Sequence, residues 1–228
     1  MNKIFFISIN NKKIEINFKI QKKPNYKIYV KNEKIYFMSP VNLSEKKIKE
    51  IIEKNLEIIK KELDKSKISN FIDTQNNFYY LFGKKFNYKI QKNKLEYLIY
   101  SNGHFLKFKL QDESKLQNKI ETLLKNELLL YLKKRVQTFE KIMNVDANYN
   151  VVIRKKTSAW ASNYYKKKNI IFSNKLLLFS KTIIDYVIIH ELAHHFFQNH
   201  SKDFWQLVKK YCPEFKEMKE KLKKKQLL

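Results

Sequence analysis

The chain has 228 residues, of which 43% are hydrophobic and 14% aromatic, and this composition excludes an intrinsically disordered chain and a disulfide-stapled mini-protein. The 48 basic and 22 acidic side chains give a net charge of +26, but nearly all the basic residues are lysines, and the chain is also rich in Asn and Ile. We attribute most of this charge to biased composition rather than to a selected polyanion surface. Two glycines exclude the Gly-rich phosphate loops of Rossmann and P-loop proteins.

Short runs of alternating apolar and polar residues fill most of the first 110 residues and predict β-strands. The predicted strands lie in residues 14–20, 26–30, 35–38, 78–82, 86–90, 95–100 and 105–110. Between the first three and the rest, apolar residues from Ile48 to Leu63 keep helical spacing and predict one amphipathic helix. Residues 101–103, Ser-Asn-Gly, form a predicted hairpin turn.

The second half of the chain alternates between helical and strand patterns. A long helix is predicted over residues 115–143, strands over residues 151–154 and 170–172, a helix capped by Thr182 that runs through His194, a helix capped by Ser201, and a Lys-rich terminal helix after Pro213. These elements predict an α+β fold. We expect two domains, an N-terminal β-rich region with one helix at residues 1–112 and a C-terminal α+β domain at residues 113–228.

Four of the five histidines fall within residues 190–200, and this cluster is the sharpest chemical signal in the sequence. On a helix, His190 and His194 lie one turn apart on the same face, so both imidazoles can bind one tetrahedral Zn²⁺ at about 2.0–2.1 Å. Glu191 lies about 100° further round the helix, where its carboxylate can take a proton from a metal-bound water. The pattern predicts a zinc-dependent hydrolase with Glu191 as its general acid and base.

A catalytic zinc ion needs a third protein ligand and leaves a fourth position for water. His200 is our preferred third ligand, because it lies six residues after His194, beyond a helix end expected at residues 198–199, where a turn can bring it back to the metal. Metzincins share this offset, but they have Gly at the position of Phe197 and a later Met-turn that is not evident here. An acidic third ligand, as in gluzincins, would be Glu214 or Glu217, and this alternative stays open.

The remaining candidate side chains have simpler interpretations. His195 faces away from the pair formed by His190 and His194, so we expect it to be a polar surface residue or to support a ligand. His104 follows the predicted hairpin turn and is expected to be a turn residue. Phe204 and Trp205 are expected to lie in the core rather than to contact substrate.

From Arg154 onward the chain resembles the YgjP-like metallopeptidase-domain family, a group of small zincin-fold, metal-dependent hydrolases. The resemblance is carried by Asp185, Tyr186, Val187, the sequence HELAH at residues 190–194, Asn199, His200, Ser201, Phe204 and Trp205. Weaker matches are Arg154, Trp160, Ser162, Asn174 and the sequence LFGKKF at residues 81–86. The resemblance implies a zincin-like C-terminal half, with His190, His194 and His200 as metal ligands and Glu191 as general acid and base.

The chain departs from the family pattern at three positions before the zinc helix. Ala159 stands where the family has Arg, Ala161 where it has Gly, and Asn163 where it has Cys. Loss of the Arg changes how an anionic substrate or an internal carboxylate is held, so the departures bear on the substrate rather than on metal binding.

Three functions are compatible with the sequence. The first is peptide hydrolysis, with residues 170–172 as an edge strand that pairs with an extended substrate. The second, implied by the resemblance, is pyrophosphate release from uridine triphosphate at the same metal site, with surface lysines attracting the anion. The third is a non-catalytic basic module that binds nucleic acid. The sequence leaves the oligomeric state open.

Features of a targeted or membrane protein are not visible in the sequence. The apolar run at residues 4–9 is short for the core of a signal peptide, and every apolar stretch is far below the ~20 residues of a membrane span. Cys212 is the single cysteine, which is typical of a reducing compartment. We therefore expect a cytoplasmic protein without a membrane partner.

Overall fold

A computed structural model describes residues 2–9, 12–31, 34–67, 71–101, 103–156 and 159–224. Strands dominate the first half of the chain and helices the second, so the predicted α+β fold class is confirmed. The chain divides into two compact units, Met1–Asn70 and Phe71–Leu228. Within the described residues, no helix combines the length and the apolar composition that crossing a bilayer requires.

The first unit is a four-stranded sheet with two helices. Its elements are β1 (Asn2–Ile9), β2 (Lys12–Ile20), β3 (Lys27–Lys31), β4 (Lys34–Ser39), α1 (Glu45–Lys54) and α2 (Leu56–Lys67). The strand order is β1-β2-β4-β3, and β2 and β4 run parallel. Alternate residues of β2 and β4, including Phe18 and Phe37, pack with Ile48 and Ile52 of α1 in one core, because a strand with period-two apolar residues buries one face.

The single helix expected between residues 48 and 63 is present as two helices that meet at Asn55. The Asn55 side chain donates to the Ile51 carbonyl at 2.8 Å, and its backbone N–H donates to the Ile52 carbonyl at 3.0 Å. Asn competes with the helical backbone for such hydrogen bonds, so it ends α1 although the apolar periodicity continues through it.

The described residues of the second unit form nine further strands and four α-helices. They are β5 (Ile72–Asp73), β6 (Phe78–Leu81), β7 (Lys84–Asn87), β8 (Lys89–Asn93), β9 (Glu96–Ser101), β10 (His104–Lys109), α3 (Leu116–Met143), β11 (Asn150–Arg154), β12 (Ala161–Tyr164), β13 (Asn169–Ser173), α4 (Lys181–Ala193), α5 (Lys202–Tyr211) and α6 (Phe215–Lys224). The strands form three three-stranded sheets, β5-β6-β7, β10-β9-β8 and β11-β13-β12. Asn102, in the predicted hairpin turn, lies outside the described residues.

The core of the second unit is built along α3. Its side chains at every fourth position from Ile120 to Leu132 have no exposed surface, and the helix packs against α4 and β11. Buried residues of β6, β9 and β10 belong to the same core. Because these strands share a core with the helices, they belong to the second compact unit, which begins at Phe71. The expected domain boundary between residues 112 and 113 stays a prediction.

The strand expected at the edge of its sheet lies in the centre. β13 pairs in parallel with β11 and antiparallel with β12, so the expectation that residues 170–172 form an edge strand was wrong. Ile170, Ile171 and Phe172 are all buried, and a continuous apolar run of this kind is typical of a strand covered on both faces. The edge strand next to α4 is β12.

The helix that carries the histidine pair begins earlier than expected. Ser180, not Thr182, is its N-cap, and the Ser180 hydroxyl accepts from the Ile183 N–H at 3.5 Å. Asp185, in the first turns of α4, forms an ion pair at 2.7 Å with Arg135 of α3. The N-terminal end of α4 is therefore anchored by α3.

Gly83, in the turn between β6 and β7, packs directly against the start of α4. Its φ is +80°, its N–H donates to the Leu177 carbonyl at 3.1 Å, and an added Cβ would lie 2.8 Å from the Ser180 nitrogen. We expect Gly83→Ala to lower the free energy of unfolding by about 2–4 kcal/mol, from left-handed strain plus backbone overpacking. Gly103→Ala is the matched control, because Gly103 has φ +81° but open space around it, and should cost only about 1–2 kcal/mol. Equal losses in urea unfolding of the two variants would contradict the close packing at Gly83.

Candidate metal centre

The histidine cluster lies at the C-terminal end of α4 and in the turn that follows. α4 ends at Ala193, earlier than expected, but His194 keeps helical backbone angles of φ −66° and ψ −10° as the C-cap. His190 and His194 therefore stay one turn apart on the same face. The chain then turns, with the Phe197 N–H donating to the Ala193 carbonyl at 3.1 Å.

The next helix brings the third histidine back toward the first two. Ser201 caps α5 as predicted, its hydroxyl accepting from the Phe204 N–H at 3.3 Å. His200, immediately before this cap, places its Nε2 atom 3.2 Å from Nε2 of His190. One nitrogen atom from each of His190, His194 and His200 lies within 4.8 Å of the others. Of the residues that the structure describes, these three form the group that can hold a metal, and Glu214 and Glu217 are not part of it.

Aromatic side chains of α5 hold the three imidazoles in place. The fully buried Phe204 ring contacts His190, His194 and His200 at centroid distances of 5.0, 4.7 and 4.8 Å. Trp205 stacks on His200 at 5.6 Å, with an angle of 24° between the rings. Both residues were expected in the core, and their packing also restricts where the imidazoles point.

Hydrogen bonds assign roles to the ring nitrogens. The His194 Nδ1 atom lies 3.0 Å from the Phe197 carbonyl and donates to it, a hydrogen bond that directs Nε2 to the metal side of the ring. The Nδ1 atom of His190 is buried and has no hydrogen-bond partner among the described residues. A buried polar atom without a hydrogen-bond partner costs stability, so its presence needs an explanation. Binding of a cation by Nε2 of the same ring would explain why a histidine occupies this position.

The electrostatic environment keeps the two closest imidazoles neutral. Burial, with the neighbouring His194, His200 and Lys219, lowers the pKa of His190 to about 3. Burial also lowers the pKa of His200, helped by His194 and Lys219. A metal ligand must be unprotonated, so both rings offer lone pairs at neutral pH.

The donor set fits a divalent cation of the zinc class. Two nitrogens bound tetrahedrally at about 2.0–2.1 Å are about 3.3 Å apart, close to the 3.2 Å between the Nε2 atoms of His190 and His200. Without a cation, one ring can donate its Nε2–H to the other at this distance, and a bound cation would replace that hydrogen bond. Three imidazoles also accept Co, Ni, Cu or Mn.

Glu191 is buried next to His190. Its side chain and His190 line the same cavity of about 360 Å³, and only 6% of its surface is exposed. Burial raises the pKa of Glu191 to about 7, against opposing effects of Lys156 and of a backbone hydrogen bond from Asn163. A carboxyl group with a pKa near neutrality can both accept and release a proton.

Asn163 is the site residue whose contribution the sequence did not reveal. Its amide nitrogen donates to the Glu191 carbonyl at 2.6 Å, so the edge strand β12 is tied to α4 at the proposed catalytic residue. The sequence showed Asn163 only as a departure from the family's Cys. No spacing rule links the two residues, because they lie 28 positions apart and meet only in the fold.

The other two histidines lie outside the group of three. His195 contacts the Tyr149 hydroxyl at 3.2 Å through Nδ1. His104 was expected to be a turn residue, and this was wrong. It lies in β10, where Nδ1 is 2.5 Å from the Tyr79 hydroxyl and Nε2 is 2.9 Å from Glu127 of α3. It is thus part of a partly buried polar network between β6, β10 and α3.

Comparison with known proteins identifies one family and two similar structures. The family model described as "YgjP-like, metallopeptidase domain" matches residues 10–225. The metallopeptidase zymogen abylysin of Pyrococcus abyssi is 25% identical, with a TM-score of 0.40 over 42% of this chain and 94% of that one. The zymogen jannalysin of Methanocaldococcus jannaschii is 24% identical, with a TM-score of 0.38 over 41% of this chain and 95% of that one. No curated protein matches the chain.

Proposed function

The chain belongs to the YgjP-like metallopeptidase-domain family and is a metal-dependent hydrolase, and we propose that it cleaves peptide bonds with a zinc ion bound by His190, His194 and His200. The observation that carries this proposal is the convergence of three imidazole nitrogens within 4.8 Å beside a cavity that a buried carboxyl group shares. Three protein ligands leave a position for water, as a catalytic site requires and a structural site does not.

Each residue has a distinct part in the proposed reaction. When bound, zinc lowers the pKa of a coordinated water toward about 7 and polarises the carbonyl of the scissile bond. Glu191 takes a proton from the attacking water and returns it to the leaving amide nitrogen. Asn163 holds the backbone of Glu191 against β12, and Phe204 keeps the imidazoles aligned.

The edge strand β12 is the proposed docking strand for the substrate. It pairs with β13 on one side only and lies next to α4. An extended peptide can add to such an edge through main-chain hydrogen bonds. This assignment replaces the earlier expectation for residues 170–172, whose backbone is already paired on both sides.

Parallel assays on the purified full chain test the proposal. We expect hydrolysis of a casein-type substrate that a chelator abolishes and added zinc restores, because the ligands cannot polarise the carbonyl alone. Uridine triphosphate should release no pyrophosphate under the same conditions. Pyrophosphate release without proteolysis would contradict the peptidase proposal. Salt-sensitive nucleic-acid binding with no hydrolysis would instead favour the basic binding module.

A cytoplasmic location is part of the proposal, supported by the single cysteine.

A further inference from the structure

The cavity beside the three histidines has walls from two different parts of the second unit. Ala159, just before β12, and Ala161, its first residue, line it together with Leu222 of α6. His190 and Glu191 also line it, so the cavity opens onto the proposed reaction site. Its volume of about 360 Å³ lies near the lower limit of ligand pockets, roughly 300–1,000 Å³, and suits one side chain or chain end rather than a long segment.

Two lysines of α6 make the cavity positive. Lys219 and Lys223 both line it, four residues apart on the same face of the helix, and Glu191 is the only acidic residue among the described residues that line it. No described acidic residue forms an ion pair with either lysine. By contrast, Lys221 on another face of α6 is paired with Glu217 at 2.8 Å.

Lys219 is held close to the metal site by an aromatic ring. Its Nζ atom lies 4.3 Å from the centroid of Trp205, the ring that stacks on His200. The Lys219 side chain is exposed, and this ring contact holds its ammonium group at the edge of the cavity.

We propose that this cavity binds a carboxylate of the peptide substrate, from an Asp or Glu side chain or from a free C-terminus, with Lys219 and Lys223 as specificity-determining residues. The inference rests on the proposed peptidase function and names its substrate class. The alanine and leucine walls accommodate the aliphatic part of the group, and the two ammonium groups pair with a charge that would be costly to bury alone.

The test compares two double variants of the same helix. Lys219→Met with Lys223→Met removes both charges from the cavity and keeps the aliphatic stems. Lys216→Met with Lys224→Met removes two exposed charges that do not line it. Substrates are peptide pairs that differ only as Glu against Gln next to the scissile bond, or as free against amidated C-terminus. The two kinds of pair distinguish a side-chain carboxylate from a terminal one.

For one kind of pair, we expect the wild-type protein to cleave the peptide with the carboxylate at a kcat/KM about tenfold higher than that of the peptide without it. Two partly exposed ion pairs provide a difference of this size. The cavity variant should reduce this ratio to near one, mainly through KM, with metal content unchanged. The control variant should keep the wild-type ratio. A wild-type protein without carboxylate preference, or a cavity variant that keeps it, would overturn the inference.

A binding measurement separates this inference from the proposed function. The same peptides are titrated into the wild-type and variant proteins with added zinc, and the tryptophan fluorescence is followed. If no peptide is hydrolysed but carboxylate-dependent binding disappears in the cavity variant alone, the peptidase proposal fails and the carboxylate site stands. If peptides are hydrolysed and bind without regard to their carboxylates, the carboxylate site fails and the peptidase proposal stands.

Discussion

Replacing Glu191 by Gln is expected to lower peptide hydrolysis by at least about a hundredfold, because positioned acid and base catalysis contributes roughly 10²–10⁴-fold. Gln keeps the size of the side chain but cannot accept the proton of the attacking water. The loss should appear in kcat, and elemental analysis should find the same metal content as in the wild-type protein, since the three imidazoles are unchanged. Glu220→Gln is the matched control, because it removes an exposed carboxylate of α6 that has no part in the proposed site. Unchanged turnover in Glu191→Gln would end the assignment of Glu191.

The same variant should gain stability when metal is absent, which checks that it folds. Burial raises the pKa of Glu191 from 4.5 to about 7, so the folded protein holds this proton more tightly than the unfolded chain does. The carboxyl group therefore costs no stability below pH 4.5, costs more as pH rises, and has its full cost above pH 7. In chelator at pH 8, Glu191→Gln should be more stable than wild type by on the order of 1–3 kcal/mol in urea unfolding, and at pH 4 the difference should vanish. Equal stability at pH 8 would contradict the burial of an ionisable Glu191.

His200→Ala is expected to abolish stoichiometric metal binding and, with it, hydrolysis. Loss of groups that only support a metal ligand costs about 10–100-fold in affinity, so loss of a ligand should cost more than about a hundredfold. Metal content after dialysis and zinc titration with a competing chelator measure the effect. His195→Ala is the matched control, because His195 lies in the same segment but outside the group of three.

Full metal retention in His200→Ala would remove His200 from the ligand set. The acidic alternatives would then be tested by adding Glu214→Gln or Glu217→Gln to that variant. Metal loss in only one of these combinations would identify the third ligand. If His200→Ala and His195→Ala both lost the metal, the substitutions would have disturbed the whole turn after α4 rather than removed one ligand.

Local patterns predicted most of the secondary structure. The long helix expected at residues 115–143 is present as Leu116–Met143. It was predictable because apolar side chains recur at every fourth position, which is close to the helical period. The break at Asn55 was missed because one side-chain hydrogen bond outweighs a periodic pattern. The place of residues 170–172 in their sheet was also missed, because strand order depends on pairing between distant segments.

The pairing of His190 with His194, and the position of Glu191 beside them, follow from the sequence alone, because the geometry of a helix fixes the relation between residues one and four positions apart. The tertiary structure decided the rest. It bent the chain so that His200 faces His190, and it tied Glu191 to β12. It also brought Lys219 and Lys223 of α6 to the same cavity as Ala159 and Ala161. These relations join residues that are distant in the chain, and they depend on how helices and strands pack, which no local spacing specifies.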